Sequence, residues 1–207
     1  MWVYLYPSGT ETELKNAYIG EYEFSIKYQE VEYIQSSWTQ YINTEFVVNQ
    51  DSRMVFELSD WTQNWSYTFF GADTGWATKW FCVVSKWAAF GNTYIENSSP
   101  RFWDGNKHTG ELSQAWLYKD GTLMWTFSTQ TFTGQALYIF WLNRSGSVQE
   151  RVTGKLYSFE LYDGATLVRE MVPCYRIADT EIWLYDIVND VFYTNQWWWA
   201  FTKWNDV

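Results

Sequence analysis

The chain has 207 residues, 47% of them hydrophobic and 18% charged, and 14 Lys+Arg against 24 Asp+Glu give a formal net charge of −10. That length suits one domain of ordinary size with a sizeable core, and three prolines without a low-complexity tract argue against disorder. An acidic chain with no local basic cluster is disfavoured as a nucleic-acid binder. The longest apolar runs, such as Ala136–Leu142, fall far short of the roughly 20 residues that a membrane helix needs. Neither nucleic acid nor a membrane is therefore expected as a partner.

Met1-Trp2-Val3-Tyr4-Leu5-Tyr6 is apolar but lacks a basic start and the apolar core of an export signal, and it runs into the turn cluster Pro7-Ser8-Gly9. Synthesis in the cytoplasm, or prior removal of a signal, is expected. Thr12–Tyr18 is the best short helical candidate. Residues 1–20, short and with a turn followed by Glu11, Glu13, Lys15 and Asn16, read as an N-terminal arm or attachment segment, with a β-sandwich over 21–207.

From there the strand period dominates. Tyr22, Phe24, Ile26 and Tyr28 alternate with Glu23, Ser25 and Lys27, and Met54, Phe56 and Leu58 alternate in the same way. Tyr67–Phe70, Trp80–Val84, Ala136–Leu142 and Leu156–Tyr162 are further strand-like runs. Asp120-Gly121 sits between two such runs, the strongest short-range hairpin signal, and Asp163-Gly164 repeats it. A third hairpin is expected over Ile182–Tyr193, with Val188-Asn189-Asp190 at its tip. About a dozen short strands separated by turns predict an all-β fold, a two-sheet antiparallel β-sandwich. Cys82 and Cys174 allow at most one disulfide, and two buried thiols are the simpler reading.

Catalytic signals are weak. Sugar hydrolases on sandwich folds place two carboxylates about 5–5.5 Å apart on one strand face. Glu21/Glu23 and Glu57/Asp60 have the wrong spacing and read as solvated positions. The one histidine, His108, excludes two-histidine schemes, and no Gly-x-Ser-x-Gly elbow supports a triad. No catalytic residue and no resident cofactor are expected. Calcium at a sandwich rim is the one ion left open, with Asp73, Asp104, Asp163 and Asp186 as loop-like donors but no Asp-x-Asp-x-Asp cluster. Aromatic side chains are the remaining signal, because a flat Trp or Tyr face suits the C–H face of a sugar ring. Trp61, Trp65, Trp76 and Trp80, with Asp73 and Asn92 (and Asn97) on neighbouring loops, are the candidate ligand contacts; filling of the core is the competing reading of the tryptophans.

The stretch Tyr33-Ile34-Gln35-Ser36-Ser37-Trp38-Thr39-Gln40-Tyr41-Ile42-Asn43-Thr44 resembles the opening of concanavalin A-like (laminin-G-like) domains of phage tail and other virion proteins, which also occur on bacterial surfaces. Phe69-Phe70-Gly71-Ala72, Gly154–Phe159, Leu167–Arg176, Glu181–Asp186 and Phe192–Asn195 extend the resemblance over about Val31–Val207. Thr12–Gly20 is similar to a piece found ahead of such domains in phage proteins. The resemblance implies a jelly roll and a virion structural or adhesion protein, tail-fibre-like or head-decorating. Its implied partners are other virion proteins, further copies of itself and host-surface glycans. A carbohydrate-binding module of a bacterial surface protein is the alternative, and a polysaccharide-cleaving enzyme is disfavoured. Trp38, Trp183, Trp204 and the run Trp197-Trp198-Trp199 stand where the family pattern has glycine. Three readings are open: tryptophans selected as a contact surface, ordinary core and strand residues of a diverged member, or a stop codon that the source genome reads as glycine.

Overall fold

The computed structural model describes residues 16–19, 22–25, 27–60, 67–75, 79–84, 87–96, 102, 104–128, 130–204 and 206–207. Among them every regular element is a strand. The first seven are β1 (Asn16–Ile19), β2 (Tyr22–Ser25), β3 (Tyr28–Glu30), β4 (Ile34–Ser37), β5 (Ile42–Asn49), β6 (Ser52–Asp60) and β7 (Thr68–Asp73). Next come β8 (Trp80–Val84), β9 (Trp87–Gly91), β10 (Thr93–Glu96), β11 (Lys107–Leu112), β12 (Trp116–Lys119), β13 (Thr122–Thr126) and β14 (Thr133–Ile139). The last seven are β15 (Leu142–Arg144), β16 (Ser147–Gln149), β17 (Thr153–Asp163), β18 (Thr166–Arg176), β19 (Ile182–Asp186), β20 (Val191–Tyr193) and β21 (Thr202–Lys203).

These strands form the expected two-sheet β-sandwich. The smaller sheet runs β10-β9-β8-β7-β14-β5, with β15 and β16 beside β7. The larger runs β13-β12-β11-β6-β17-β18-β19-β20. Its long strands β17 and β18 part company along their length. The first residues of β17 pair with β4, its last residues pair with β18, and the end of β18 takes β3. Pairing is antiparallel apart from β15, which lies parallel to β7.

Turn chemistry explains the hairpins. Asp120 (φ +50°) and Gly121 (φ +73°) both take the left-handed conformation, the type I′ signature, and Lys119 pairs with Thr122. Asp163 pairs with Thr166 around Gly164 (φ +60°), and Asp186 pairs with Val191 around the expected tip. The Ala136–Leu142 run is two strands rather than one. Phe140 turns at φ +70°, and its buried ring packs on Phe69 and Phe201.

The helical expectation over Thr12–Tyr18 fails where it can be read: Asn16–Ile19 is a strand paired with Tyr22–Ser25, Ile19 opposite Tyr22. Close antiparallel neighbours supply each other's backbone partners, which an isolated helix of two turns cannot match in water. Residues 1–15 lie outside the described residues. The first pairing into either main sheet is made by β3.

Alternation builds the core. Met54, Phe56 and Leu58 of β6 and Leu156, Phe159 and Leu161 of β17 turn inward and are buried. Opposite them, Phe70 of β7 lies with its ring centroid 4.7 Å from Phe56 and 5.1 Å from Phe159. A register shift between Thr68 and Phe70 adds a residue to β7, so that neighbouring Phe69 and Phe70 are both buried. Gly154 makes room for this: a Cβ there would meet Phe69 Cζ at 2.2 Å and the Ser59 carbonyl at 3.0 Å. Gly154→Ala is therefore expected to destabilise by about 1–3 kcal/mol through overpacking, read from urea unfolding midpoints.

Candidate functional site

Of the residues singled out as ligand contacts, Trp61, Trp65 and Trp76 lie outside the described residues, as does Asn97. The structure brings the other three to one end of the smaller sheet. Trp80 pairs with Asp73 on one side and with Gly91 on the other, and Asn92 follows in the next turn. Trp80 is half-buried against Cys82, Val84 and Ala89. Asn92 is exposed, and its backbone N–H donates to Gln130 Oε1 at 2.6 Å. Asp73 is buried, and Arg144 Nε donates to its Oδ2 at 2.6 Å while the Gly75 N–H donates to Oδ1 at 2.7 Å. The same guanidinium reaches Gln149 and Glu150, and Glu150 accepts from the Thr68 hydroxyl. This carboxylate is the anchor of a strand-end network, not a group presented to solvent.

The other calcium candidates are likewise dispersed. Asp186 is fully buried and accepts from the backbone N–H groups of Glu170 and Val188 and from Asn189 Nδ2. Asp163 sits in a hairpin and accepts from Asn49 Nδ2 at 3.2 Å. Asp104 and Asp120 both face His108. Among the described residues, no three carboxylate, imidazole or thiol groups gather as a metal site. Cys82 and Cys174 are free buried thiols in separate clusters on different sheets. Burial raises both thiols, Cys174 to about 12, so neither is a ready nucleophile.

His108, at the start of β11, is clasped on both sides. Its Nδ1 lies 2.7 Å from Asp120 Oδ2 and its Nε2 lies 2.8 Å from Asp104 Oδ1. With both ring nitrogens occupied by carboxylates, the imidazole ties the 104–106 loop to the β12–β13 turn and offers no free nitrogen to activate a nucleophile. The Asn106 backbone N–H and then the His108 hydrogen bond lower Asp104 to about 2. A carboxyl lowered on folding adds stability that is full above its ordinary value near 4 and is lost as pH falls toward 2. Acid titration of unfolding should thus carry a contribution in that window which Asp104→Asn removes. Solvent screening of this half-exposed group keeps it below about 1 kcal/mol.

The outward face of the larger sheet carries a different arrangement. Alternation on β17 turns Lys155 and Tyr157 outward, and the register places Lys155 between Gln35 of β4 and Ser59 of β6, with Lys107 of β11 beyond. Tyr33 and Tyr157 meet edge to face at 5.4 Å. Lys155 Nζ sits 4.0 Å over the Tyr33 ring and Lys107 Nζ 4.4 Å over Tyr157, while Glu57 pairs with Lys107 at 2.8 Å. Trp204 stacks beside Tyr33 at 6.4 Å. The hydrogen bond to Tyr33 raises Lys155, which keeps its charge at neutral pH. Tyr33 is buried and backs the half-buried Tyr157, so Tyr157 with Lys155 and Lys107 is the part of this group that can touch a sugar and pair with an acidic substituent. The spacing Lys155-x-Tyr157 was legible in sequence; the approach of Tyr33 and Lys107 from distant strands was not.

A second aromatic group lies where the β4–β5 turn, the Phe140 bend and residues 195–200 meet. Tyr41 stacks between Tyr138 (5.0 Å) and Trp141 (4.9 Å), Trp197 follows at 5.6 Å, and Arg151 sits 4.6 Å over Trp141. Trp38 meets Tyr67 edge to face at 4.5 Å. Trp198 and Trp199 project outward, 88% and 67% exposed.

No protein-family model matches this chain, and no curated protein matches it.

Proposed function

We propose that the chain is a non-enzymatic virion component, tail-fibre-like or head-decorating, whose β-sandwich is wired as a concanavalin A-like jelly roll and holds host-surface glycans. The single observation that carries the binding part is the row of half-buried Tyr157 beside Lys155 and Lys107 on the outward face of the larger sheet, backed by the buried Tyr33 ring. The particle part is supported by the motifs that resemble phage domains. Several of them supply the central strands: Phe69-Phe70-Gly71-Ala72 lies in β7, Gly154–Phe159 in β17 and Leu167–Arg176 in β18.

In this reading residues 1–20 attach the protein to the particle or to sister copies, and the protein is made in the host cytoplasm. No metal is required for the row to work. Each site is weak, and copy number on the particle supplies avidity without any new contact. The same row would serve a bacterial surface module, so content in purified particles separates the two readings.

Binding of the purified protein to immobilised host-surface polysaccharide tests the proposal. Tyr157→Ala is expected to weaken binding about 3–10-fold through the lost ring contact, and Lys155→Ala should do so more strongly for acidic than for neutral polysaccharide. Unchanged binding in both variants would overturn the row as the site. Release of reducing ends would overturn the non-enzymatic reading.

A further inference from the structure

Phenylalanine and tryptophan are both large apolar side chains, yet this fold treats them oppositely. Every phenylalanine whose side chain is described is buried or half-buried. Among tryptophans, Trp38, Trp116, Trp125, Trp197, Trp198, Trp199 and Trp204 are exposed, from 36% to 88%. Trp116 and Trp125 lie in strands, where aromatic residues are at home. The other five lie in bends or coil, where glycine is the usual residue.

The backbone at Trp38 sharpens this contrast. Its φ is +85°, which groups it with Gly75 (+83°), Gly105 (+84°) and Gly146 (+84°). The Glu, Asp, Ser and Thr residues with positive φ cluster lower, at +50° to +60°. A Cβ is strained there, and the indole's one ring contact, edge to face with Tyr67, leaves it 36% exposed.

The 197–199 run is held by its main chain. Asn195 Nδ2 donates to the carbonyls of Trp197 and Trp199, and Asn195 Oδ1 accepts from the N–H groups of Tyr41 and Trp197. Gln40 Nε2 donates to the Ala200 carbonyl at 2.8 Å. Two of the three indoles in this knot stand mostly in solvent. Among the described residues, the two buried tryptophans, Trp141 and Trp183, leave their indole N–H groups without an acceptor, against the habit of buried indoles.

We propose that the protein made by its own cell carries glycine at positions 38, 197, 198, 199 and 204, the codon at these positions being decoded there as glycine rather than tryptophan. Glycine relieves the backbone at position 38, where φ is +85°, and at all five positions it removes an exposed indole while the main-chain bonds of the Asn195 knot stay in place. Glycine at 204 would remove the ring beside Tyr33, but the residue identities read by mass do not involve Tyr157, Lys155 or Lys107, so the outcome is separate from that of the glycan reading.

The test is mass spectrometry of protein isolated from the particles or cells that make it naturally. The intact mass should fall below 24.8 kDa. The tryptic peptides Tyr28–Arg53 and Ile177–Lys203 should carry glycine at position 38 and at positions 197–199. Tryptophan at any of these four positions in that material overturns the proposal. A second readout uses recombinant chain as written here. Trp38→Gly should raise its thermal midpoint by about 2–4 °C, and a lowered midpoint would contradict the glycine reading of that site.

Discussion

The contact on which the rest of the structure depends is the stacking of Phe70, from the middle of the smaller sheet, onto Phe56 and Phe159 of the larger one. Each sheet alone would expose an apolar face to water; together they bury it, and burial of apolar area is the main favourable term in folding. Around this contact Phe69, Phe102 and Phe140 extend the aromatic layer, with ring pairs 4.7 to 6.0 Å apart. Gly110 leaves room for the Phe56 and Phe102 rings, and Gly154 lies under Phe69 of the facing sheet. The outward residues of β6, β11 and β17 take their positions from this packing, because alternation sends every second side chain the other way.

The fold class was legible because its signals are local. Alternation in Met54–Leu58 and the Asp-Gly turns at 120–121 and 163–164 report on neighbours in sequence, and the structure places strands and hairpins where they fall. The helical reading near Thr12 misled because a short window cannot see its pairing partner. The break at Phe140 was equally invisible, since the ring it carries packs on Phe69 and Phe201, both far away in the chain. Candidate contacts fared by the same rule. Trp80, Asp73 and Asn92 do converge on one sheet end, but the engagement of Asp73 by Arg144 depends on a residue 71 positions away in the chain. The Tyr33–Tyr157 row was missed for that reason too.

Chemistry on this molecule divides between groups that are already occupied and groups that face outward. His108, Asp73 and Asp186 have their partners inside the fold and act as fasteners, and both thiols are buried. The Lys155 and Tyr157 side chains stand on β17, which has a paired strand on each side. The exposed tryptophans belong to neither class: Trp116 and Trp125 lie in strands, and Trp38, Trp197, Trp198, Trp199 and Trp204 lie in bends or coil.

The dependence on the inter-sheet phenylalanine contact can be measured directly by urea unfolding of Phe70→Ala beside Trp198→Ala. The account predicts a loss of about 3–5 kcal/mol for Phe70→Ala, from lost transfer energy and the cavity left between the sheets, and a change within about 0.5 kcal/mol for the exposed Trp198→Ala. Equal small effects at both positions would contradict it, because the two sheets would then be held together by something other than the ring stack at their centre.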